Sequence, residues 1–501
     1  MQTINHKTSN QHGLMLAQFK LPVPVLLYLL AVITPVQFSL GPISLNGLRM
    51  LLLVLIVPLT ARLLMGKYGR ILWTDILFFL YIFWSAVAIT LNNPDRVVES
   101  VGSNSIEFVG AYVLGRAYIR TPESFAAMTR VLILIIVATL PLAIYETVTG
   151  HPILLEAIRR VPGLQSYPTV FTEPRLGLNR VQGIFPHPIH FGLFASVGFS
   201  LCFVGFKGIL RTPVRYLLST LIGLSVFLSL SSGALLAVIL QICLIFWAWI
   251  MKPIRHKWLA LLAIFVVLYF MVDLLSNRSP FRVFLTYATF STHNAYWRAI
   301  IFDWGMQNVW SNPLFGLGFN DWVRPQYMPS ASVDNFWLLT AMRYGIPGFA
   351  FLMMGILAAL WQIGRHNLNQ DIRLQQFRWA WMFTFIGLFF TLATVHIWSV
   401  VYSFVFFLFG AGLWLISAKV EDSVTTITAE QNNDVKLIYS RANIVSDLRL
   451  ETKPETPPRS GPFVKLKRQH QAVFPKNRTT TGDKPKYSRF SESPPKRDKL
   501  H

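Results

Sequence analysis

The sequence predicts an all-α polytopic membrane protein with about twelve transmembrane helices and a large external loop. Of its 501 residues, 53% are hydrophobic and only 14% charged, and the apolar runs recur at the length a helix needs to cross a bilayer. Phe occurs 39 times and Trp 15 times, as suits side chains that pack against lipid and sit at its interfaces.

Residues 1–21 are polar and read as a cytoplasmic N-terminal segment. The next apolar run, Leu21 to Leu40, is too long for a signal-peptide core and lacks a small-residue cleavage pattern, so it is read as a retained first span. The transmembrane domain, 22–417, has apolar segments at roughly 22–40, 47–66, 71–91, 102–119, 127–147, 188–206, 214–231, 234–251, 258–275, 346–362, 379–396 and 398–416. Segment 102–119 is unusual because it carries Glu107 and Arg116. Cys202 and Cys243 lie inside apolar runs as small hydrophobes, so neither a disulfide nor a metal site is expected from them.

Lys/Arg bias in short loops sets orientation. Arg62, Lys67 and Arg70, Arg116 and Arg120, Lys207, Arg211 and Arg215, Lys252, Arg255 and Lys257, and Arg365, Arg373 and Arg378 all fall on one side of the span pattern. With an even number of spans both termini share that side, the cytoplasm of a bacterial inner-membrane protein. The chain is formally +22; the segment from Ala418 holds 17 Lys+Arg and 10 Asp+Glu, which leaves 28 and 13, or +15, in the remainder. Charge is costly there and calls for a reason.

Two external loops are basic against the rule: about 150–187, with Arg159, Arg160, Arg175 and Arg180, and about 276–345, with Arg278, Arg282, Arg298, Arg324 and Arg343. Long loops translocate regardless of charge, which would permit this. An anion site facing the periplasm would require it. Residues 418–501 are rich in Pro, Thr, Lys and Arg and form an expected disordered basic cytoplasmic tail. Its run Lys465-Leu466-Lys467-Arg468 is suited to an anionic leaflet, or is simply solvated.

Inside the larger loop, Trp297, Ile300, Ile301 and Trp304 follow helical spacing and predict an amphipathic helix ending before Asn312-Pro313. The following Gly316-Leu317-Gly318 has neither a preceding strand nor a third glycine, which excludes a dinucleotide fingerprint. Asp334 and Asn335 stand where a helix begins; Asp334 suits an N-cap and also suits a general base. Arg343 is placed to anchor a helix at the interface by snorkelling. In the smaller loop, His187 and His190 are separated by Pro188, which disfavours a helical metal pair and leaves hydrogen-bonding roles.

Three stretches resemble the bacterial O-antigen ligases and O-antigen or exopolysaccharide polymerases: Glu107 to Arg116, Arg180 to Gly192, and Arg298 through Asn312-Pro313-Leu314-Phe315-Gly316 to Asp334-Asn335. The resemblance implies a GT-C-like fold and a metal-independent, inverting glycosyltransferase without a cofactor. Its donor would be an undecaprenyl-diphosphate-linked glycan. Arg180 and Arg298 would clamp the diphosphate and Asp334 would act as base. Arg175, His187, His190, Arg278, Arg282, Asn335, Arg343 and Arg116 would contact substrate. Many members have His at the place of Asp334, and an Arg where this chain reads Ser231-Ser232-Gly233; Arg278 or Arg282 would substitute for the latter. The Val-Asp-Asn form points to a polymerase of oligosaccharide repeats, with ligation to lipid A core as the alternative. A flippase is the rival of another class, but it would place ionisable residues near mid-membrane. Membrane lipid and other polysaccharide-assembly proteins, such as a flippase or a chain-length regulator, are the implied partners, and no nucleic acid is.

Overall fold

The computed structural model describes residues 20–419, apart from 41–42, 255, 278–279, 288–291, 329 and 369. The polar N-terminal segment up to residue 19, the basic tail and Arg278 lie outside the described residues.

The chain is a bundle of helices, and some part of every expected apolar segment is helical. Among the described residues seven helical segments are long and apolar enough to cross a membrane. They are α2 (Gly47–Leu64), α3 (Trp73–Asn92), α6 (Pro122–Thr149), α10 (Ser232–Ile250), α11 (Lys257–Leu275), α14 (Phe336–Arg365) and the run Ser399–Ile416, which consists of α16 (Ser399–Gly410) and a 3-10 turn. The apolar helices α1 (Val23–Ile33), α8 (Pro188–Phe203) and α9 (Thr212–Leu228) are shorter, and α15 spans Ile372–Thr391.

Several expectations are corrected. The first segment is helical only to Ile33; Pro35 withholds a backbone donor, and Gln37–Leu40 (β1) pairs antiparallel with Ile43–Asn46 (β2). Segment 102–119 lies in one helical run, 97–118, that carries a π turn. It consists of α4 (Val97–Ser105), a π turn at Ile106–Gly110 and α5 (Ala111–Tyr118). Segment 346–362 begins ten residues earlier, at Phe336, in a helix interrupted at Gly345. Segment 379–396 ends at Thr391, and an irregular stretch, 392–398, joins α15 to α16.

The centre is α16, whose residues from Val400 to Gly410 are all buried. A Cβ on Gly410 would stand 2.2 Å from the Tyr112 carbonyl and one on Gly115 2.2 Å from that of Phe407, so small residues let α16 and α5 cross in backbone contact. At the other extreme α11 buries no residue, which presents an apolar surface to lipid.

Contacts sort the loops into two ends of the bundle. At one end the β-hairpin joins the smaller loop, Gln37 N donating to Gln165 O at 2.9 Å. Also there, Asn93 meets Phe319 and Asn320, and Phe336 N donates to the carbonyls of Leu392 and Val395. At the other end Arg120 reaches the Lys67 carbonyl and His366 that of Leu415. Both long loops therefore share one end. The larger includes α12 (Pro280–Tyr287) and α13 (Thr292–Ser311). The expected amphipathic helix is α13, which stops just before Asn312-Pro313; its Ile301 and Val309 pack with Leu338, Ala341 and Met342 of α14.

Candidate functional site

The smaller loop is pinned to the bundle by backbone amides. Glu146, in the last turn of α6, accepts from Gln182 N (2.7 Å) and Gly183 N (2.9 Å). Asn179 N donates to Thr147 O and Val181 N to Leu228 O, while the Gln182 side chain bridges Val170 and Pro168. A carboxylate that accepts two amides fixes the path of an otherwise irregular segment. From that path Arg175 donates through Nη1 to Leu230 O (2.7 Å) and Arg180 through Nε to Ser229 O (3.4 Å). Both guanidiniums thus lie over the end of α9.

Arg298 comes to the same place from α13. Burial lowers its pKa, the charge of Arg175 lowers it further, and Asp334 opposes this. Its Nη1 is buried without a hydrogen-bond partner among the described residues. For Arg180, burial and then the charges of Arg175 and Arg298 bring the pKa down to about 10. Arg175 is lowered by burial, against Glu173. Beside them, burial and the charges of Arg180 and Arg175 hold His187 at about 4, so its imidazole is neutral at pH 7. The carboxylates acting on these arginines, Asp334 and Glu173, are both exposed. Three half-buried guanidiniums with so little counter-charge form a site that an anion would stabilise.

The second half of the site is built on the break in α14. Gly345 has φ +71, and a Cβ there would stand 2.1 Å from the Leu314 carbonyl. The segment 313–318 crosses the break: Ile346 N donates to Pro313 O, Leu317 N to Met342 O (both 2.7 Å) and Gly318 N to Arg343 O (3.0 Å). The glycines of this segment therefore serve close backbone packing. Arg343, held at the break, lies 5.0 Å over the Phe319 ring and faces a cavity of about 170 Å³. Asn104, Glu107, Thr340, His396 and Trp398 also line it. Glu107 enters from the π turn and pairs with Arg49 at 2.8 Å. His396, from the 392–398 stretch, is brought down to about 3 by burial and Arg343, and its Nδ1 has no hydrogen-bond partner among the described residues.

Trp398, which lines the cavity, also reaches the histidines beside the arginines. The Trp398 ring stacks on His396 (5.7 Å between centroids) and meets His190 at 3.9 Å and His187 at 6.0 Å.

Of the residues expected to contact substrate, the structure gathers Arg175, Arg180, Arg298, His187 and Asp334 around one centre, and Arg343 lines the adjoining cavity. His190 is fully buried against Trp398. Asn335, not Asp334, is the N-cap of α14, accepting from Leu338 N at 3.0 Å. Asp334 is exposed to solvent. Arg282 pairs with Asp303 at the surface. Arg116 stands at the opposite end: it bonds Asp75 at 3.0 Å and the Arg70 carbonyl at 2.9 Å, a buried structural pair. Sequence reasoning missed Glu146, His396 and Trp398. A carboxylate at the end of an apolar run was the visible signal for Glu146; His396 and Trp398 were hidden where two apolar segments nearly touch.

Residues 217–353 match the family model described as O-Antigen ligase. The resemblance is to the O-antigen ligase family. The match spans about a quarter of the 501 residues and contains Arg298, Asp334, Asn335 and Arg343, while Arg175, Arg180 and His187 precede it. With the seven helices long and apolar enough to cross a membrane, it supports a membrane protein with an O-antigen ligase/polymerase-type function. No curated protein matches the chain.

Proposed function

We propose that the protein is an inner-membrane, inverting glycosyltransferase that moves a glycan from undecaprenyl diphosphate to a saccharide hydroxyl on the periplasmic face. The observation that carries this reading is the meeting of Arg175, Arg180 and Arg298, where burial and then the two neighbouring charges lower Arg180 to about 10. A diphosphate leaving group needs charge stabilisation more than protonation. Paired guanidinium forks supply it with fixed geometry, the role a metal ion plays in other phosphate chemistry. The acceptor hydroxyl attacks the anomeric carbon as the bond to phosphate breaks, and Asp334, which acts on Arg298, takes its proton. In this reading both long loops are periplasmic and the Arg120–Lys67 end is cytoplasmic.

Polymerisation of repeats is the preferred form, on the Val333-Asp334-Asn335 sequence; the O-Antigen ligase match at 217–353 favours ligation as the second reading. A deletion strain should show single-repeat surface glycans on gels for a polymerase, and long glycans retained on the carrier for a ligase. Purified protein in liposomes should release carrier diphosphate as it transfers glycan. Movement of lipid-linked glycan across the bilayer without that release would make it a flippase and overturn the proposal.

A further inference from the structure

The cavity beyond Trp398 is not needed to hold a diphosphate, and its chemistry differs from that of the arginine cluster. A carboxylate, a guanidinium, a carboxamide, a hydroxyl and an imidazole converge on it between aromatic rings. That is the surface a sugar ring requires: donors and acceptors for its hydroxyls, and flat apolar faces for its C–H groups. A lipid chain would leave those polar groups unpaired.

Two features point to an occupant. His396 is partly buried and its Nδ1 is enclosed without a hydrogen-bond partner among the described residues, and an unpaired buried ring nitrogen is a cost that a bound hydroxyl removes. The π turn at Ile106–Gly110 interrupts the α4–α5 run where Glu107 meets the cavity; such turns recur at functional sites. Thr340 donates its own proton to the Phe336 carbonyl at 2.7 Å, which leaves its oxygen to accept. Arg343 supplies donors from the facing wall. The volume, about 170 Å³, suits a single monosaccharide ring.

We propose that this cavity is the subsite for the acceptor sugar, with His396 and Thr340 binding its hydroxyls and Trp398 standing at its boundary with the donor site. The proposal rests on the glycosyl-transfer reading above. His396 and Thr340 determine which sugar is accepted; neither is assigned a proton-transfer step.

The test is equilibrium binding, which does not depend on turnover. The repeat saccharide, released by mild acid from lipid-linked glycan of a strain lacking this protein, is titrated into full-length protein in detergent by calorimetry. Farnesyl diphosphate is titrated separately as the donor-head probe. His396→Phe should weaken saccharide binding about tenfold or more, and Thr340→Val several-fold, by loss of a buried hydrogen bond; farnesyl diphosphate binding should stay within twofold. Thr340→Val changes only a hydroxyl for a methyl and keeps the test valid if His396→Phe fails to fold. Absence of saccharide binding by the unmodified protein, equal binding by Thr340→Val and any folded His396→Phe, or parallel loss of farnesyl diphosphate binding overturns the proposal. Saccharide binding lost in the variants, with no carrier diphosphate ever released by the unmodified protein, would uphold the subsite and defeat the transfer reading instead.

Discussion

Arginine is used in opposite ways at the two ends of the bundle. Near the end carrying the short loops, Arg116 is neutralised: Asp75 receives it at 3.0 Å, the Arg70 carbonyl at 2.9 Å, and Asp75 is further satisfied by Leu72 N and the Tyr112 hydroxyl. At the end carrying the long loops, Arg175 and Arg180 lean on carbonyls, Arg298 Nη1 has no partner among the described residues, the three repel one another, and the carboxylates that act on them, Glu173 and Asp334, are exposed. A buried charge with partners this close is a structural unit, although Arg116 Nε makes no aligned hydrogen bond among the described residues. A half-buried charge without them is held in readiness for a ligand, at a cost to stability that the fold bears elsewhere. The contrast separates residues that sequence reasoning had grouped together.

The largest expected effect belongs to the closed pair. Arg116→Met leaves Asp75 buried without its cation and should destabilise the protein by about 3–5 kcal/mol, whereas adding Asp75→Leu should restore much of the loss. Thermal unfolding in detergent and protein abundance in membranes measure this. The folded fraction should retain full specific activity; a turnover defect in well-folded Arg116→Met would mean that the two ends are not so different.

Next in size are Arg180→Lys and Arg298→Lys, which keep the charge and lose the fork. Each should lower carrier diphosphate release by roughly 10²-fold, by analogy with removal of one preorganised donor. Abundance and melting temperature should hold or rise slightly, because repulsion in the cluster is relieved when a lysine keeps its head in water. A fall in stability like that of Arg116→Met, with unchanged specific activity, would show the cluster to be structural.

How much of this was readable in advance follows from the range of the forces involved. Apolar runs report burial in lipid residue by residue, so some part of every expected segment is helical, with ends that differ by up to ten residues, and the two basic loops share one end of the bundle. What escaped were features set by contacts distant in sequence. The β-hairpin is tied by Gln37 to Gln165 of the smaller loop, and a Cβ at the Gly345 break would meet the backbone of 313–314. The cavity gathers Glu107, Arg343 and His396 from elements more than fifty residues apart. Arg116 misled because its sequence neighbourhood resembles a family motif, while its partner Asp75 lies 41 positions earlier and has no local signature. Asp334 and Asn335 exchanged capping roles for a subtler reason: both residues favour the N-cap, and a register of one residue is decided by where Phe336 meets Leu392 and Val395.

The smallest expected effect is also the sharpest discriminator, since it concerns an arginine on the same loop as Arg298. Arg282 lies on α12 with its side chain 47% exposed, beside Asp303 at 34%. An ion pair so open to water contributes about 0.2–1 kcal/mol, and less in salt. Arg282→Gln should therefore shift the melting temperature by a degree or two at most and leave carrier diphosphate release within twofold. If activity falls instead by an order of magnitude or more with stability unchanged, Arg282 leaves Asp303 to meet the donor, and takes the place of the arginine absent at Ser231-Ser232-Gly233. The anion site would then recruit α12 on binding, and the contrast between the two ends would become one of readiness as well as of charge.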